Sequence, residues 1–172
     1  MLALINPDEI ADLVALRTGE NKIGESTAVG TVDDLAAKGV KFVILGVQES
    51  IGPKANLGNR GAENAWMSFL KAFVNIQDNQ FIDVTKVGIL GSFKFDIEVD
   101  EVDHLRLQTH NIDQEVEVVI EAIAKHKMIP ILIGGGHNNA YPLLTGTSKA
   151  YETSINAINC DPHADFRTLE GR

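Results

Sequence analysis

The sequence alternates short, continuous apolar runs with segments of helical periodicity, and this alternation constrains the fold more than any other feature. The first run, residues 42–47, is bounded by turn signals and is typical of a strand buried on both faces. Similar runs at 87–91, 130–133 and 155–159 predict three further strands. Because helical patterns separate the runs, we expect βαβ units with right-handed crossovers and a mainly parallel sheet.

Helices are predicted for much of the remaining chain. The first has a complete start signal, with Asn6 as N-cap, Pro7 at the first helical position and Glu9 three residues beyond the cap. Gly, Asn and Pro are concentrated between Gly52 and Gly61, so we expect a loop there. Apolar spacing and helix start and stop signals place the other helices at 31–39, 62–74, 112–123 and 138–150.

Composition excludes several classes of protein. The 172 residues show no repeat, low-complexity tract or linker, so we expect a single α/β domain over 1–172. The net charge is −9 and no Lys/Arg cluster stands out, which argues against nucleic-acid binding. No run approaches the ~20 apolar residues of a membrane span, and the first residues do not resemble a signal peptide. Cys160 is the one cysteine, which excludes an intramolecular disulfide and favours a cytoplasmic protein.

The fourth predicted strand is followed by only about a dozen residues, with no helix to cover it. Both faces of a doubly wound sheet are normally covered. Either this strand lies at an edge of the sheet, or the chain is the N-terminal part of a longer domain, and we favour the second interpretation. It also predicts an exposed apolar sheet edge that promotes self-association.

Two clusters of polar residues follow consecutive predicted strands, at the edge where sites form in open α/β sheets. The first is 134–139, and the second begins at Asp161. In an extended segment, Asp161, His163 and Asp165 point the same way and require a cation, and His137 would join them from the neighbouring loop. Carboxylates and imidazole without a thiolate favour Mn²⁺, Mg²⁺, Fe²⁺ or Zn²⁺. Taken singly, the motifs also fit a polar strand end and a glycine turn that binds phosphate or simply turns.

The motifs Gly134-Gly135-Gly136-His137 and Asp161-Pro162-His163-Ala164-Asp165 together resemble those of the ureohydrolases, the family of arginases, agmatinases and formimidoylglutamases. The resemblance covers most of residues 40–172. It implies an arginase-like α/β fold, a three-layer sandwich with a mainly parallel sheet, here truncated after about four strands. It also implies two Mn²⁺ ions, one held by His137, Asp161 and Asp165 and the other by Asp161 and His163, with Asp161 and Asp165 as catalytic residues. In the family, two aspartates of a later strand complete both sites.

Arg167 and the residues flanking His137 resemble formimidoylglutamases more than arginases. Arg167 would bind a substrate carboxylate bidentately, and a local ion pair with Glu170 is the alternative. Asn138, Asn139 and Asn59 are candidate substrate contacts, with helix capping and turn formation as the alternative for each.

The implied activity is manganese-dependent hydrolysis of C–N bonds in linear amidines, with formimidoylglutamate giving glutamate and formamide. Arginase- or agmatinase-type hydrolysis of a guanidino group is an alternative, and so is a single-zinc deacetylase of the related fold. A third hypothesis is that the 172-residue chain alone is an inactive fragment that binds at most one metal ion loosely. We expect a small-molecule amidine or guanidino substrate, a homo-oligomer, and neither nucleic acid nor membrane as partner.

Overall fold

A computed structural model describes residues 1–162, and five strands of this part form one mixed sheet. The strands are β1 (Leu2–Leu4), β2 (Ala28–Val29), β3 (Phe42–Gln48), β4 (Val87–Lys94) and β5 (Ile129–Ile133). β3 lies between β4 and β5 and runs parallel to both. β1 and β2 pair with the other edge of β4, β1 antiparallel and β2 parallel. The predicted mainly parallel α/β sheet is therefore confirmed.

Helices connect the strands and cover the sheet. They are α1 (Pro7–Leu13), α2 (Val32–Ala37), α3 (Ile51–Ala55), α4 (Ala65–Phe73), α5 (Val102–Lys125) and α6 (Ala140–Tyr151). Short 3-10 turns occupy Ile23–Glu25, Ala62–Asn64, Val84–Lys86 and His137–Asn139. The start signal of α1 is confirmed: the Asn6 side chain accepts from the Glu9 amide, and the Glu9 carboxylate accepts from the Asn6 amide, both at 2.9 Å.

Alternation along β3 divides the apolar interior into two cores, one on each face of the sheet. Val43, Leu45 and Val47 belong to the core that contains the buried face of α5. Ile44 belongs to the opposite core, which Trp66 of α4 shares. The indole of Trp66 lies directly on Gly46. A Cβ added to Gly46 would be 2.5 Å from Cγ of Trp66. The expected three-layer sandwich, helix on sheet on helix, is confirmed.

One expectation from the sequence is wrong in detail. The predicted loop from Gly52 to Gly61 begins within a short helix, α3, which tolerates Pro53 because first-turn N–H groups have no partner inside a helix. The two small strands β1 and β2 were not predicted at all. They have three and two residues, too few to give a periodic pattern.

The fourth predicted strand, 155–159, does not form. After α6 the chain passes through Glu152 in a left-handed conformation, with φ of 52°, and continues as an irregular, mainly exposed segment. Ile158 is 98 % exposed. A strand needs a neighbour to complete its hydrogen-bond ladder, and within residues 1–162 no strand pairs with this segment.

β5 is an edge strand of the described sheet, since β3 is its one partner there. Ile129 and Ile131 of β5 are 52 % and 37 % exposed. This agrees with the expected apolar edge, and the self-association that such an edge promotes stays a prediction. Among the helices described, none is long and apolar enough to cross a bilayer.

Candidate active site at the carboxyl edge of the sheet

The glycine loop after β5 places His137 at the carboxyl edge of the sheet. Gly134 and Gly135 have φ of +86° and +72°, a left-handed conformation that favours glycine. Space is also restricted, because a Cβ at Gly135 would lie 2.7 Å from Glu49 Oε1 and closer still to Asn139 Nδ2. The loop therefore packs its backbone directly against the end of β3.

Glu49 follows the last residue of β3 and is fully buried, with no exposed surface. Its Oε1 accepts hydrogen bonds from the amide of Gly136 and from Asn139 Nδ2, the latter at 3.2 Å. Its Oε2 accepts from the amide of Gly52 at 2.8 Å. One buried carboxylate thus joins the end of β3, the start of α3 and the glycine loop of β5.

Sequence reasoning missed Glu49. The signal that could have identified it is an acidic residue directly after a fully apolar strand, at the edge where α/β proteins place their sites. A carboxylate in that position is buried unless the chain turns outward, and a buried carboxylate needs hydrogen-bond donors.

Asn138 and Asn139, two of the predicted substrate contacts, have internal partners. Asn138 Nδ2 donates to Asp113 Oδ1 of α5 at 3.1 Å. Asn139 is 3 % exposed, and its Nδ2 also donates to the Gly136 carbonyl at 3.0 Å. The bond to the Gly136 carbonyl agrees with the alternative of turn formation for Asn139, whereas the bond of Asn138 connects the loop to another helix. Asn59 lies exposed in the loop between α3 and α4.

Asp113 has an unusual pKa because of its surroundings. Burial raises the pKa of this carboxyl to about 6, the hydrogen bond from Asn138 opposes the increase, and the nearby charge of Glu49 adds to it. The loop that presents His137 is therefore flanked by two carboxylates, Glu49 directly after β3 and Asp113 on α5.

His137 itself is exposed and lines an open cleft of about 740 Å³. Gly52 and Pro53 of α3 form one side of the cleft, and Tyr141 and Leu144 of α6 form the other. The described residues that line the cleft include no Asp, Glu, Lys or Arg. The cleft is open enough for a small molecule to reach His137.

Of the other predicted ligands, Asp161 is described and is exposed at the end of the irregular segment after α6. His163, Asp165 and Arg167 lie outside the described residues. Within residues 1–162 there is no group of three or more His, Cys, Asp or Glu side chains that could hold a metal ion. The four-residue ligand set therefore stays a prediction.

A second loop is fixed at the same edge by Ser50, the residue after Glu49. The Ser50 hydroxyl donates to Glu63 Oε2 and accepts from the Gly61 amide at 3.1 Å. Gly61 also donates to Glu63 Oε2 at 2.7 Å. The pKa of Glu63 is lowered to about 2. The hydrogen bond from Ser50 is the largest cause of this shift, and backbone donors contribute to it. Arg60 pairs with Glu63 at 3.5 Å.

The fold and this edge define an α/β protein with its polar groups at the carboxyl ends of parallel strands. Residues 40–172 match the model of the arginase family. A formimidoylglutamase of Geobacillus sp. is 30 % identical over 131 residues, which cover 75 % of this chain and 37 % of that protein. Formimidoylglutamases of Staphylococcus aureus and Staphylococcus epidermidis are 33 % and 30 % identical, over 72 % of this chain and 37 % of theirs.

The chain belongs to the arginase family, and the resemblance drawn from its two motifs is confirmed. It spans about 37 % of the length of these curated relatives.

Proposed function

We propose that this chain supplies the first part of the metal centre of a manganese-dependent amidine hydrolase, with formimidoylglutamate as the substrate. The observation that carries this proposal is the position of His137. It is held by a glycine loop at the carboxyl end of β5 and is exposed to an open cleft. Family membership and the names of the relatives support the reaction class.

His137, Asp161, His163 and Asp165 would hold the metal. The described members of this set fit the task chemically, since imidazole and carboxylate are ligands that Mn²⁺ accepts and both side chains are exposed. Bound Mn²⁺ supplies a Lewis acid that lowers the pKa of water toward neutrality. Asp161 or Asp165 would accept a proton from the attacking water and pass it to the leaving nitrogen of the amidine.

Arg167 would bind a carboxylate of the substrate, because a guanidinium group can engage a carboxylate through two parallel hydrogen bonds. This role favours formimidoylglutamate over agmatine, which has no carboxylate. Hydrolysis of a guanidino substrate such as arginine or agmatine is the second candidate. We further propose that the complete protein is a homo-oligomer.

Metal binding by the 172-residue chain tests the role of His137. Titration with Mn²⁺, followed by electron paramagnetic resonance, should show at most one loosely bound ion per chain. His137→Ala should weaken binding at least about tenfold, because it removes a ligand. The matched control is His126→Ala. His126 is an exposed histidine at the carboxyl end of α5, and it pairs with Asp33 of α2. Equal affinity in both variants would contradict the proposal.

Activity is tested with Mn²⁺ or Zn²⁺ supplied, both on the 172-residue chain and on any longer protein that contains it. We expect release of formamide from formimidoylglutamate with Mn²⁺, and no turnover by the 172-residue chain alone. Release of urea from arginine or agmatine would support the second candidate. Activity restricted to Zn²⁺ and acetylated substrates would contradict both candidates. Two tightly bound Mn²⁺ ions with turnover in the 172-residue chain would contradict the hypothesis that its metal site is incomplete.

A further inference from the structure

The loop before His137 cannot define its own conformation. Three consecutive glycines have more backbone freedom than any other sequence of that length, and two of them adopt left-handed angles here. A metal ligand, in contrast, must be held within about 0.5 Å of its productive position. The chain therefore needs an external anchor for residues 134–136 if His137 is to bind a metal ion well.

Glu49 provides that anchor from the most rigid part of the fold. It directly follows β3, which pairs with strands on both of its edges, and it is fully buried. The bond from the Gly52 amide to Oε2 fixes the carboxylate, which leaves Oε1 directed at the loop.

The contacts of Oε1 bracket His137 on both sides. Gly136, the residue before His137, donates its amide to this oxygen, and Asn139, two residues after His137, donates its side-chain amide to the same oxygen. Asn138 is held separately by Asp113. The backbone that presents His137 is thereby fixed at positions before and after the imidazole.

We propose that Glu49 is a positioning residue, whose buried carboxylate fixes the glycine loop so that His137 is presented to the metal ion. This inference rests on the proposed function for its metal-binding part. Its structural part concerns the loop alone and has a separate readout. Glu49 has no exposed surface and acts on the site through the loop, so it is not itself assigned as a ligand.

The test compares Glu49→Gln with Glu63→Gln in the 172-residue chain. Each variant loses one carboxylate that accepts a hydrogen bond from a backbone amide at the same sheet edge. Of the two carboxylates, Glu49 is the one that contacts the loop of His137. Two quantities are measured: the Mn²⁺ dissociation constant and the hydrogen-exchange rate of the Gly136 amide. We expect Glu49→Gln to weaken Mn²⁺ binding about 10- to 100-fold, the range for residues that orient metal ligands. Exchange at Gly136 should accelerate at least about tenfold, and Glu63→Gln should change neither quantity.

The outcomes separate the two proposals. If the parent chain binds Mn²⁺ through His137 and Glu49→Gln binds it equally well, the positioning role is wrong and the proposed function stands. If the parent chain binds no Mn²⁺, the metal-binding part of this inference fails for the short chain, and unchanged exchange at Gly136 in Glu49→Gln would overturn its structural part as well. Should Glu49→Gln fail to fold, Asn139→Ser replaces it, because this variant removes one donor to Oε1 and keeps the carboxylate. It should accelerate exchange at Gly136 by a smaller factor, and no acceleration would overturn the inference.

Discussion

Two loops at the same sheet edge are fixed by consecutive residues of the chain, but in different ways. The loop of His137 is held by Glu49, a buried carboxylate that directly follows the central strand β3. The loop of Gly61 is held by Glu63, a carboxylate of that loop itself, through Ser50 and the Gly61 amide. The first anchor links the loop to the core, whereas the second is local. The loop with the candidate metal ligand is therefore the one whose geometry depends on the whole fold.

The largest expected difference between the loops comes from adding one methyl group to each. Gly135→Ala should lower the free energy of unfolding by about 3 kcal/mol, because the residue has a left-handed φ and its Cβ would overlap Glu49 and Asn139. Gly61→Ala should lower it by only about 1 kcal/mol, since φ is +130° but no heavy atom lies within 4 Å of the new Cβ. Urea denaturation measures both, and equal losses would contradict the difference between the anchors.

The two loops should respond to pH in opposite directions. The pKa of Asp113 is raised to about 6, so the folded state holds its proton more tightly than the unfolded chain does. Its stabilising effect is complete below about pH 4 and is lost as the pH rises through about 6. Asp113→Asn should therefore become more stable than the parent by roughly 1–3 kcal/mol between pH 4 and pH 7. Urea midpoints across this range measure the effect, and a constant difference would exclude it.

Glu63 gives the opposite behaviour. Its pKa is lowered to about 2, so its stabilising effect is present above about pH 4.5 and is lost as the pH falls toward 2. Ser50→Ala removes the largest cause of this shift and should raise the pKa of Glu63 toward its ordinary value. We expect a loss of about 1 kcal/mol in the free energy of unfolding at pH 7. Carbon-detected NMR titration of the Glu63 carboxyl measures the pKa, and a value still near 2 would show that the backbone donors suffice.

The smallest effect on the free energy of unfolding is expected for the ion pair of Arg60 with Glu63. Arg60 is well exposed and lies 3.5 Å from Glu63, a geometry that contributes little because water screens the pair. Arg60→Ala should change the free energy of unfolding by less than about 0.5 kcal/mol. A loss above 1 kcal/mol in the same urea assay would mean that the local anchor extends farther than the contacts indicate.

The sequence predicted those features that depend on local patterns. The cap at Asn6 and the apolar runs of β3, β4 and β5 were all confirmed, because capping and burial follow from a few neighbouring residues. The run 155–159 was predicted as a strand on the same grounds and was wrong, since strand formation also needs a partner.

The site divides in the same way. The glycine loop and His137 were recognised from four consecutive residues, and the structure places them at the expected edge. Glu49 could not be paired with this loop from sequence alone, because 87 residues separate it from Gly136. Only the parallel pairing of β3 with β5 brings the two together.

The contact of Trp66 with Gly46 has a practical consequence. This indole is the one tryptophan of the chain, and it is 2 % exposed against the central strand. Its intrinsic fluorescence should therefore report water entering the layer between α4 and the sheet. A change in emission that precedes the loss of helical signal would reveal that this layer separates first.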